Sequence, residues 1–370
     1  MKKSTARWIP AIAVPVVVVA AAVAVPQMAN ADAQLPTKSA AQIAQLALTS
    51  DGASFSGTVV ESADLGLPSI PTSDLGGSSG SQSSATSALG MLSGTHTARV
   101  FSAGKTKQRI QVISDLAETD VYRNGADVWT YDSSKNQAVH ATLPARSSRS
   151  ATPGAMSVPT TPAAAAARVL KRIGPATTIT TDKNVTVAGR GAYQIELAPK
   201  ASGSLVKSVT LAVDATTGTP LKVTVSAVGQ KSPAISIGFS KIDFSTPSSS
   251  VFEYTPSSTT KVKTVTVPKR SASSNEKHSD AVKRGVATAA PTVIGTGWNS
   301  IVGATVPAKA LESLTKSSSS ALLGDVLTTV PGGRIVQTSL FSAYLTTDGH
   351  VYVGAVSASA LQAAVAAAAK

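Results

Sequence analysis

Cysteine is absent from all 370 residues of this chain. The absence excludes disulfide bonds, thiol nucleophiles and thiolate metal sites. A chain without disulfide bonds depends on a hydrophobic core for its stability, and aromatic residues make up only 4% of this sequence. Because 42% of the residues are nevertheless hydrophobic, we predict a core built from valine, isoleucine, leucine and alanine.

Patterns typical of catalysis and metal binding are also scarce. The four histidines (His96, His140, His278 and His350) are scattered without a spacing such as H-E-x-x-H, and we expect each at the surface. Residues 76–80 match G-x-S-x-G, but a nucleophile elbow needs a strand before it and a helix after it, and here both flanks are low-complexity. A hydrolase would need a nucleophile–base–acid set that we do not find. We therefore predict a protein that is not an enzyme and that has no catalytic residue, cofactor or metal.

The amino-terminal residues have the pattern of a secretory signal peptide. Residues 1–7 are basic, residues 9–25 are apolar, and Ala29-Asn30-Ala31 is an A-x-A cleavage site. We predict a signal peptide over residues 1–31, cleaved after Ala31, and a secreted protein of the cell envelope. An uncleaved membrane anchor is the alternative, although the apolar run is short for a membrane span and contains two prolines.

Positive charge exceeds negative charge. The formal net charge of +13 would fall to +10 after loss of Lys2, Lys3 and Arg7 with the signal peptide. Much of the excess lies within residues 257–291, where Glu276 and Asp280 accompany these cationic residues: Lys261, Lys263, Lys269, Arg270, Lys277, Lys283 and Arg284. Such a segment would meet anionic lipid head groups or wall polymers, or form a solvated linker. No aromatic residue interrupts it, so nucleic acid is not an expected partner.

The middle of the chain alternates apolar and polar residues, as β-strands do. Residues 94–144 are predicted to form a meander of antiparallel strands, with Asn124-Gly125 in a type I′ hairpin turn. A second series of strands is predicted between residues 177 and 242. Short helices are predicted over residues 39–48 and 162–174. This alternation predicts one large antiparallel sheet with one apolar face.

Composition divides the chain into a large and a small unit. We predict a first domain over residues 32–256 with a flexible loop at 65–93, a basic linker over 257–291, and a small α+β domain over 292–370. The small domain is predicted to contain helices at 306–314, 321–330 and 359–370 and a hairpin across residues 347–349. Apolar residues of the loop, among them Leu65 and Leu67, would form a flap over a cavity or pack on the sheet edge.

Several motifs, in one order, resemble those of the periplasmic lipoprotein carrier family, which includes LolA-like and LppX-type proteins and the amino-terminal domain of RseB. They are F-S-G-T-V-V from Phe55, Y-R-N-G-A-D-V-W-T-Y-D over residues 122–132, L-A-P-K-A-S-G-S-L-V-K-S-V-T-L-A-V over 197–213, and V-F-E-Y-T-P over 251–256. The resemblance covers residues 37–262. It implies an α+β fold in which a large curved antiparallel sheet forms a half-open β-barrel. An α-helical lid would cover an apolar cavity for acyl chains.

The resemblance also implies which residues bind the ligand. The candidates are apolar positions of the strands and of the second helix: Phe55, Val100, Ile110, Val112, Val128, Leu170, Ile173, Ile195, Leu197, Leu211, Val223, Val225, Ile237 and Phe239. Leu170 and Ile173 would belong to the lid. The sequence departs from the carriers at the arginine that closes the lid, because Arg99 and Arg109 both lie near its place and the motifs match neither to it. Which alternating set faces inward stays open, because a slip of one residue reverses the face. Without the resemblance, the residues favour a packed core over a cavity.

The function implied by the resemblance is binding. The chain would carry or sense a lipid or an acylated lipoprotein, and we expect a monomer. An alternative comes from the small domain, where L-F-S-A-Y-L-T-T-D-G-H-V-Y-V over residues 340–353 resembles two-domain regulators of the RseB type. In that case the carboxyl-terminal domain would bind a membrane protein, an anti-sigma factor, in envelope-stress signalling.

Overall fold

The described residues of the chain form two sheets, one of twelve strands and one of six, and two α-helices. The computed structural model describes residues 35–50, 52–67, 93–114, 117–143, 174–266, 291–305 and 327–368. The predicted signal peptide, the second predicted helix and the helix predicted over 306–314 lie outside these ranges, as do most of the loop at 65–93 and the basic segment after residue 266. In the ranges that are described, no helix is both long and apolar enough to cross a membrane.

The first helix, α1 (Ala40–Thr49), begins at a capping box. The Gln42 backbone N–H donates to the Ser39 hydroxyl at 3.3 Å, and the Ser39 backbone N–H donates to the Gln42 side chain at 2.8 Å. These two bonds satisfy backbone donors that the first turn of a helix leaves without partners. Ile43 and Ala47, four residues apart on one side of the helix, are buried against the large sheet.

The meander predicted between residues 94 and 144 is present, and one further strand precedes it. The strands are β1 (Phe55–Asp64), β2 (Ser93–Ser102), β3 (Lys107–Ser114), β4 (Ala117–Asn124), β5 (Asp127–Asp132) and β6 (Gln137–Thr142). Each pairs antiparallel with the next. The predicted turn type was wrong. Asn124 ends β4 and pairs with Asp127, and Gly125 is the residue with positive φ (64°), as in a type II′ turn.

The second series of strands continues the same sheet. It consists of β7 (Thr177–Val187), β8 (Arg190–Pro199), β9 (Val206–Asp214), β10 (Pro220–Ala227) and β11 (Ile235–Asp243). β11 pairs with β1, which joins the two series. The sheet curves enough for β7 to contact β11 although three strands lie between them, and irregular pairing in β7, β10 and β11 assists the bend. Within the described residues its two edges do not pair, so the predicted half-open sheet is confirmed.

The far edge of the large sheet is a strand that the sequence analysis did not predict. A 3₁₀ turn (Ser249–Phe252) follows β11, and the chain then reaches β6, where β12 (Lys261–Thr266) pairs in parallel. The strand order is therefore β12-β6-β5-β4-β3-β2-β1-β11-β10-β9-β8-β7. Residues 261–266 belong to the segment that we interpreted as a basic linker. Lys261 and Lys263 stand on this outer strand, and lysines on an edge strand discourage pairing with another chain.

The described residues of the small domain form a six-stranded antiparallel sheet and one helix. Its elements are β13 (Thr292–Ile294), β14 (Ile301–Thr305), β15 (Thr328–Val330), β16 (Gly333–Gln337), β17 (Ser342–Thr346), β18 (His350–Gly354) and α2 (Ala358–Ala368). The predicted hairpin across residues 347–349 joins β17 to β18. The prediction of helix up to residue 330 was wrong for Thr328–Val330, a β-branched run that favours a strand. Leu361 of α2 is fully buried against one face of this sheet.

The two domains share a hydrophobic cluster. Leu340 of the small domain packs with buried residues of the large sheet and the segment after β1: Leu65, Val206, Ala227 and Ala234. Leu67 also packs there, half-buried. The sequence left two alternatives for the apolar residues of the loop at 65–93, a flap over a cavity or packing against the sheet. Leu65 and Leu67 are packed. Residues 68–92 lie outside the described ranges.

Hydrogen bonds reinforce the contact between the domains. The Leu205 backbone N–H donates to the Ala355 carbonyl at 2.8 Å. Trp298 Nε1 donates to Thr177 Oγ1, also at 2.8 Å, so Trp298 links the small domain to the large sheet. The small sheet is therefore held against the large sheet by both packing and polar contacts.

Candidate functional site

The large sheet has two chemically different faces. Direct partners in an antiparallel register lie on the same side of a sheet, so a face can be followed from strand to strand. Ile195 on β8 pairs with Leu211 on β9, which pairs with Val223 on β10. Val223 pairs with Ile237 on β11, and Ile237 pairs with Glu61 on β1. We call this side the apolar face, and α1 packs against it at β8 and β9.

The apolar face continues from β1 across the meander. Gly57 on β1 pairs with Val100 on β2, Val100 with Ile110 on β3, and Ile110 with Val121 on β4. Side chains two residues apart along a strand share a face, so the positions next to this row can be assigned in the same way. The face therefore spans both series of strands.

The predicted ligand-binding residues fall on this one face. Of the fourteen, Leu170 and Ile173 lie outside the described residues. The other twelve all lie on the apolar face: Phe55, Val100, Ile110, Val112, Val128, Ile195, Leu197, Leu211, Val223, Val225, Ile237 and Phe239. The alternation in the sequence thus selected a single side of the sheet, with no slip between strands.

Core packing occupies part of the apolar face. Beneath α1 lie four of the twelve residues: Ile195, Leu197, Leu211 and Val223. Phe55 and Phe239 meet edge to face, with ring centroids 5.6 Å apart, and their cluster includes Val100 and Ile237. Val225 belongs to the cluster shared with the small domain. These nine side chains stabilise the fold, whatever else they contact.

The β3–β6 part of the apolar face lies apart from these clusters. Four apolar side chains stand there on neighbouring strands, each half-buried: Ile110, Val121, Val128 and Val139. We call these residues the open patch. The one helix described in this domain, α1, packs against β7, β8 and β9 at the other end of the sheet. Among the described elements of this domain, the open patch is therefore a half-buried apolar area that α1 does not cover.

A buried carboxyl group stands on the apolar face. Glu61 is 5% exposed, and its direct partners are Ile237 on β11 and His96 on β2. Within the described ranges, no residue donates a hydrogen bond to Glu61 Oε2. Burial raises the pKa of Glu61 to about 7, because the ionised form loses its hydration. The sequence analysis missed Glu61, although its spacing from Phe55 and Val59 assigns it to the same face.

The opposite side of the meander, which we call the aromatic face, is a packed layer. The Tyr254 ring centroid lies 5.2 Å from that of Tyr122, 5.4 Å from that of Trp129 and 5.5 Å from that of Tyr131. Tyr254 comes from the V-F-E-Y-T-P motif and its three neighbours from Y-R-N-G-A-D-V-W-T-Y-D. Two of the motifs that carry the family resemblance therefore meet in the structure. Trp129 also stacks on His140, with the ring centroids 4.3 Å apart.

Both arginines considered for lid closure lie on the aromatic face. Arg109 donates to both carboxylate oxygens of Asp120, at 3.0 and 3.2 Å, and its guanidinium carbon lies 4.6 Å from the Tyr122 ring centroid. Burial raises the pKa of Asp120 to about 6, against the opposing effect of Arg109. Arg99 is the register partner of Gln111, and Gln111 is the register partner of Asp120, so Arg99 lies on the same face as Asp120. Neither arginine is therefore placed to close a lid over the apolar face.

Comparisons with known proteins concern the fold. A chain in the structure of the MucA/MucB complex of Pseudomonas aeruginosa is 14% identical, over 88% of this chain and 96% of that chain, with a TM-score of 0.44. A LolA superfamily protein of Nitrosomonas europaea is 12% identical, over 59% of this chain and 99% of that chain (TM-score 0.22). A DUF1329 family protein of Desulfovibrio piger is 11% identical, over 59% of this chain and 98% of that chain (TM-score 0.18).

No protein-family model and no curated protein matches the chain. The solved structures similar to it include the LolA superfamily, the group that the sequence motifs resemble.

The histidines are less exposed than predicted. His96, His140 and His350 are half-buried, and His278 lies outside the described ranges. His140 Nε2 lies 3.0 Å from Asp127 Oδ1, and the same imidazole ring stacks on Trp129. In the part of the chain that the structure describes, no three histidine, aspartate or glutamate side chains are grouped to hold a metal ion.

Proposed function

We propose that this chain is an exported binding protein, not an enzyme, that carries or senses a lipid or lipoprotein acyl group on the apolar face. The open patch supports this function. It places four half-buried apolar side chains on four neighbouring strands of a sheet that does not close, while α1 packs on the other end of the same face. The sequence motifs that resemble lipoprotein carriers imply the same class of ligand.

Burial of apolar surface would supply the binding free energy. Each methylene that leaves water contributes about 0.8 kcal/mol, so a chain of roughly a dozen carbons contributes on the order of 8 kcal/mol before the cost of association. The isoleucine and valine side chains of the open patch would also leave water in this contact, which adds to the binding free energy. A polar or charged group in the patch would remove this gain.

Native mass spectrometry tests the proposal on the exported protein purified without detergent from its own envelope. We expect an acyl species bound to the natural protein. Replacing both Ile110 and Val128 by glutamate should lower its occupancy at least about tenfold, because the ligand would then desolvate two carboxylates. Val262→Glu is a matched control, because Val262 is 47% exposed and lies on the opposite face of the sheet. Its register partner is Ala138, and the next residue, Val139, is on the apolar face. An unliganded mass, with no uptake of added lipids or lipopeptides, would contradict acyl binding.

A second candidate function, the regulator that binds a membrane anti-sigma factor, is supported by a different surface. Val293, Val302 and Val353 are register partners on β13, β14 and β18, and they are 62%, 46% and 39% exposed. The helix α2 packs on the other side of this small sheet, against Ile301 and Ile335. An exposed apolar stripe backed by a packed core suits binding to a protein.

Crosslinking in intact cells tests the regulator function. With a photoreactive residue at position 293, we expect a covalent product with a membrane protein that mass spectrometry identifies as an anti-sigma factor. Val302→Lys together with Val353→Lys should remove this product, because two cations interrupt the stripe. Ile179→Lys, at a 40% exposed position of the large sheet, should leave it unchanged. If no membrane protein is crosslinked, the regulator function is wrong and acyl binding is unaffected.

A further inference from the structure

Glu61 lies where a ligand on the apolar face would meet it. Its strand, β1, is in the interior of the large sheet, between β2 and β11. The row of direct partners that contains Glu61 runs through Ile237 and Val223 to Leu211. The open patch begins two strands away, at Ile110 on β3, whose row of partners crosses β1 at Gly57, four residues from Glu61. An elongated apolar molecule on the patch could therefore place one end near Glu61.

The surroundings of Glu61 are mostly apolar. On its own strand, Val59 and Ala63 share its side of the sheet. β11 contributes Ile237 and β2 contributes His96, which is the one titratable group among these direct neighbours. Glu61 Oε2 receives no hydrogen bond from the residues that the structure describes, and leaving a buried acceptor unsatisfied costs free energy. A ligand that supplies a donor recovers this free energy.

We propose that Glu61 binds a cationic head group, so that the ligand of the apolar face is a long-chain amphiphile bearing an ammonium group. The inference rests on the proposed acyl-binding function. An ammonium supplies three N–H donors and a positive charge, and hydrogen bonds between charged groups are about twice as strong as neutral ones. A hydroxyl head group would supply one neutral donor. A carboxylate head group would be repelled by ionised Glu61.

Displacement of a bound apolar fluorophore, diphenylhexatriene, measures this preference in the exported protein. The competitors are dodecylammonium, dodecanol and dodecanoate, all below their micellar concentrations. We expect dodecylammonium to bind about tenfold more tightly than dodecanol at neutral pH, which is about 1.4 kcal/mol. Glu61→Gln should remove the preference and leave dodecanol binding unchanged. Glu196→Gln is the matched control, because Glu196 is next to Ile195 on β8 and therefore on the opposite face.

The pH dependence gives a second readout. A bound ammonium lowers the pKa of Glu61, which burial raises to about 7 in the free protein. Dodecylammonium should therefore bind more tightly as pH rises from 6 to 8, roughly in step with the ionisation of Glu61. His96 faces the same site, so the measurement is repeated in His96→Gln, where the dependence should persist.

The outcomes separate this inference from the proposed function. Equal displacement by all three competitors, unchanged in Glu61→Gln, would overturn ammonium recognition and still support acyl binding. Tighter binding of dodecanol or dodecanoate than of dodecylammonium would overturn it as well. If none of the three displaces the fluorophore, acyl binding itself fails. Thermal unfolding of Glu61→Gln shows that the variant is folded before binding is measured.

Discussion

Glu61→Gln is expected to stabilise the free protein by up to about 3 kcal/mol at pH 8, and by less than about 1 kcal/mol at pH 5. Glutamine keeps the shape of the side chain and removes a charge that the apolar face solvates poorly. The gain follows from the difference between the pKa of Glu61 in the unfolded chain, 4.5, and its value of about 7 in the fold. Each pH unit between these values corresponds to about 1.4 kcal/mol.

The sign follows from the protons that each state binds. Between pH 4.5 and about 7, the folded protein holds the Glu61 proton while the unfolded chain releases it. The stability of the natural protein therefore falls as pH rises through this window and levels off above it. Asp120, whose pKa burial raises to about 6, acts in the same direction. The difference between the natural protein and the variant isolates the contribution of Glu61.

Urea unfolding followed by circular dichroism at several pH values provides the measurement. Glu196→Gln is the control, and it should follow the natural protein at every pH. A difference between Glu61→Gln and the natural protein that does not change between pH 5 and pH 8 would show that Glu61 ionises normally in the fold. A destabilised variant would show that its carboxyl group is well satisfied.

Phe252→Ala is expected to lower the free energy of unfolding by about 3–5 kcal/mol, the usual range for removing a buried phenylalanine. Phe252 is 1% exposed and ends the 3₁₀ turn that packs against β3 and β4. Two residues later, Tyr254 contacts the aromatic side chains of the meander. The cavity left by Phe252 would thus loosen the segment that leads to β12.

Two measurements check this expectation. Urea unfolding gives the loss of stability, with Val251→Ala as a control at a half-buried neighbour, which should change stability by less than about 1 kcal/mol. Hydrogen exchange should show lower protection of the Lys261–Thr266 amides in Phe252→Ala than in Val251→Ala. A loss below about 1 kcal/mol in Phe252→Ala would mean that the turn is not part of the core.

The strands and the apolar face were predictable because one sequence signal encodes both. Residues alternate apolar and polar along β2, β3, β9 and β10, and a side-chain period of two fixes which positions share a face. Once partners are in register, Ile110 and Leu211 must lie on the same side. The same alternation predicts that Glu61 shares the side of Phe55, so its position was encoded and only its chemistry was overlooked.

Other features depend on contacts between distant residues. β12 pairs with β6 although more than a hundred residues separate them, and its sequence K-V-K-T-V-T also fits a solvated basic segment. Local composition cannot distinguish an edge strand from a linker when its partner is unknown. Likewise, the packing of Leu340 on Leu65 joins segments from the two domains, and neither segment alone indicates the other.

The parallel pairing of β12 with β6 determines how the chain can be divided for experiments. A fragment that ends at residue 256 would retain β6 and lose its partner. The backbone groups of Gln137–Thr142 would then form an open sheet edge, which is a template for association with a second chain. The same truncation would uncover the apolar surface around Leu65 that Leu340 now covers. Self-association of such a fragment would reflect where it was cut and not the oligomeric state of the whole protein.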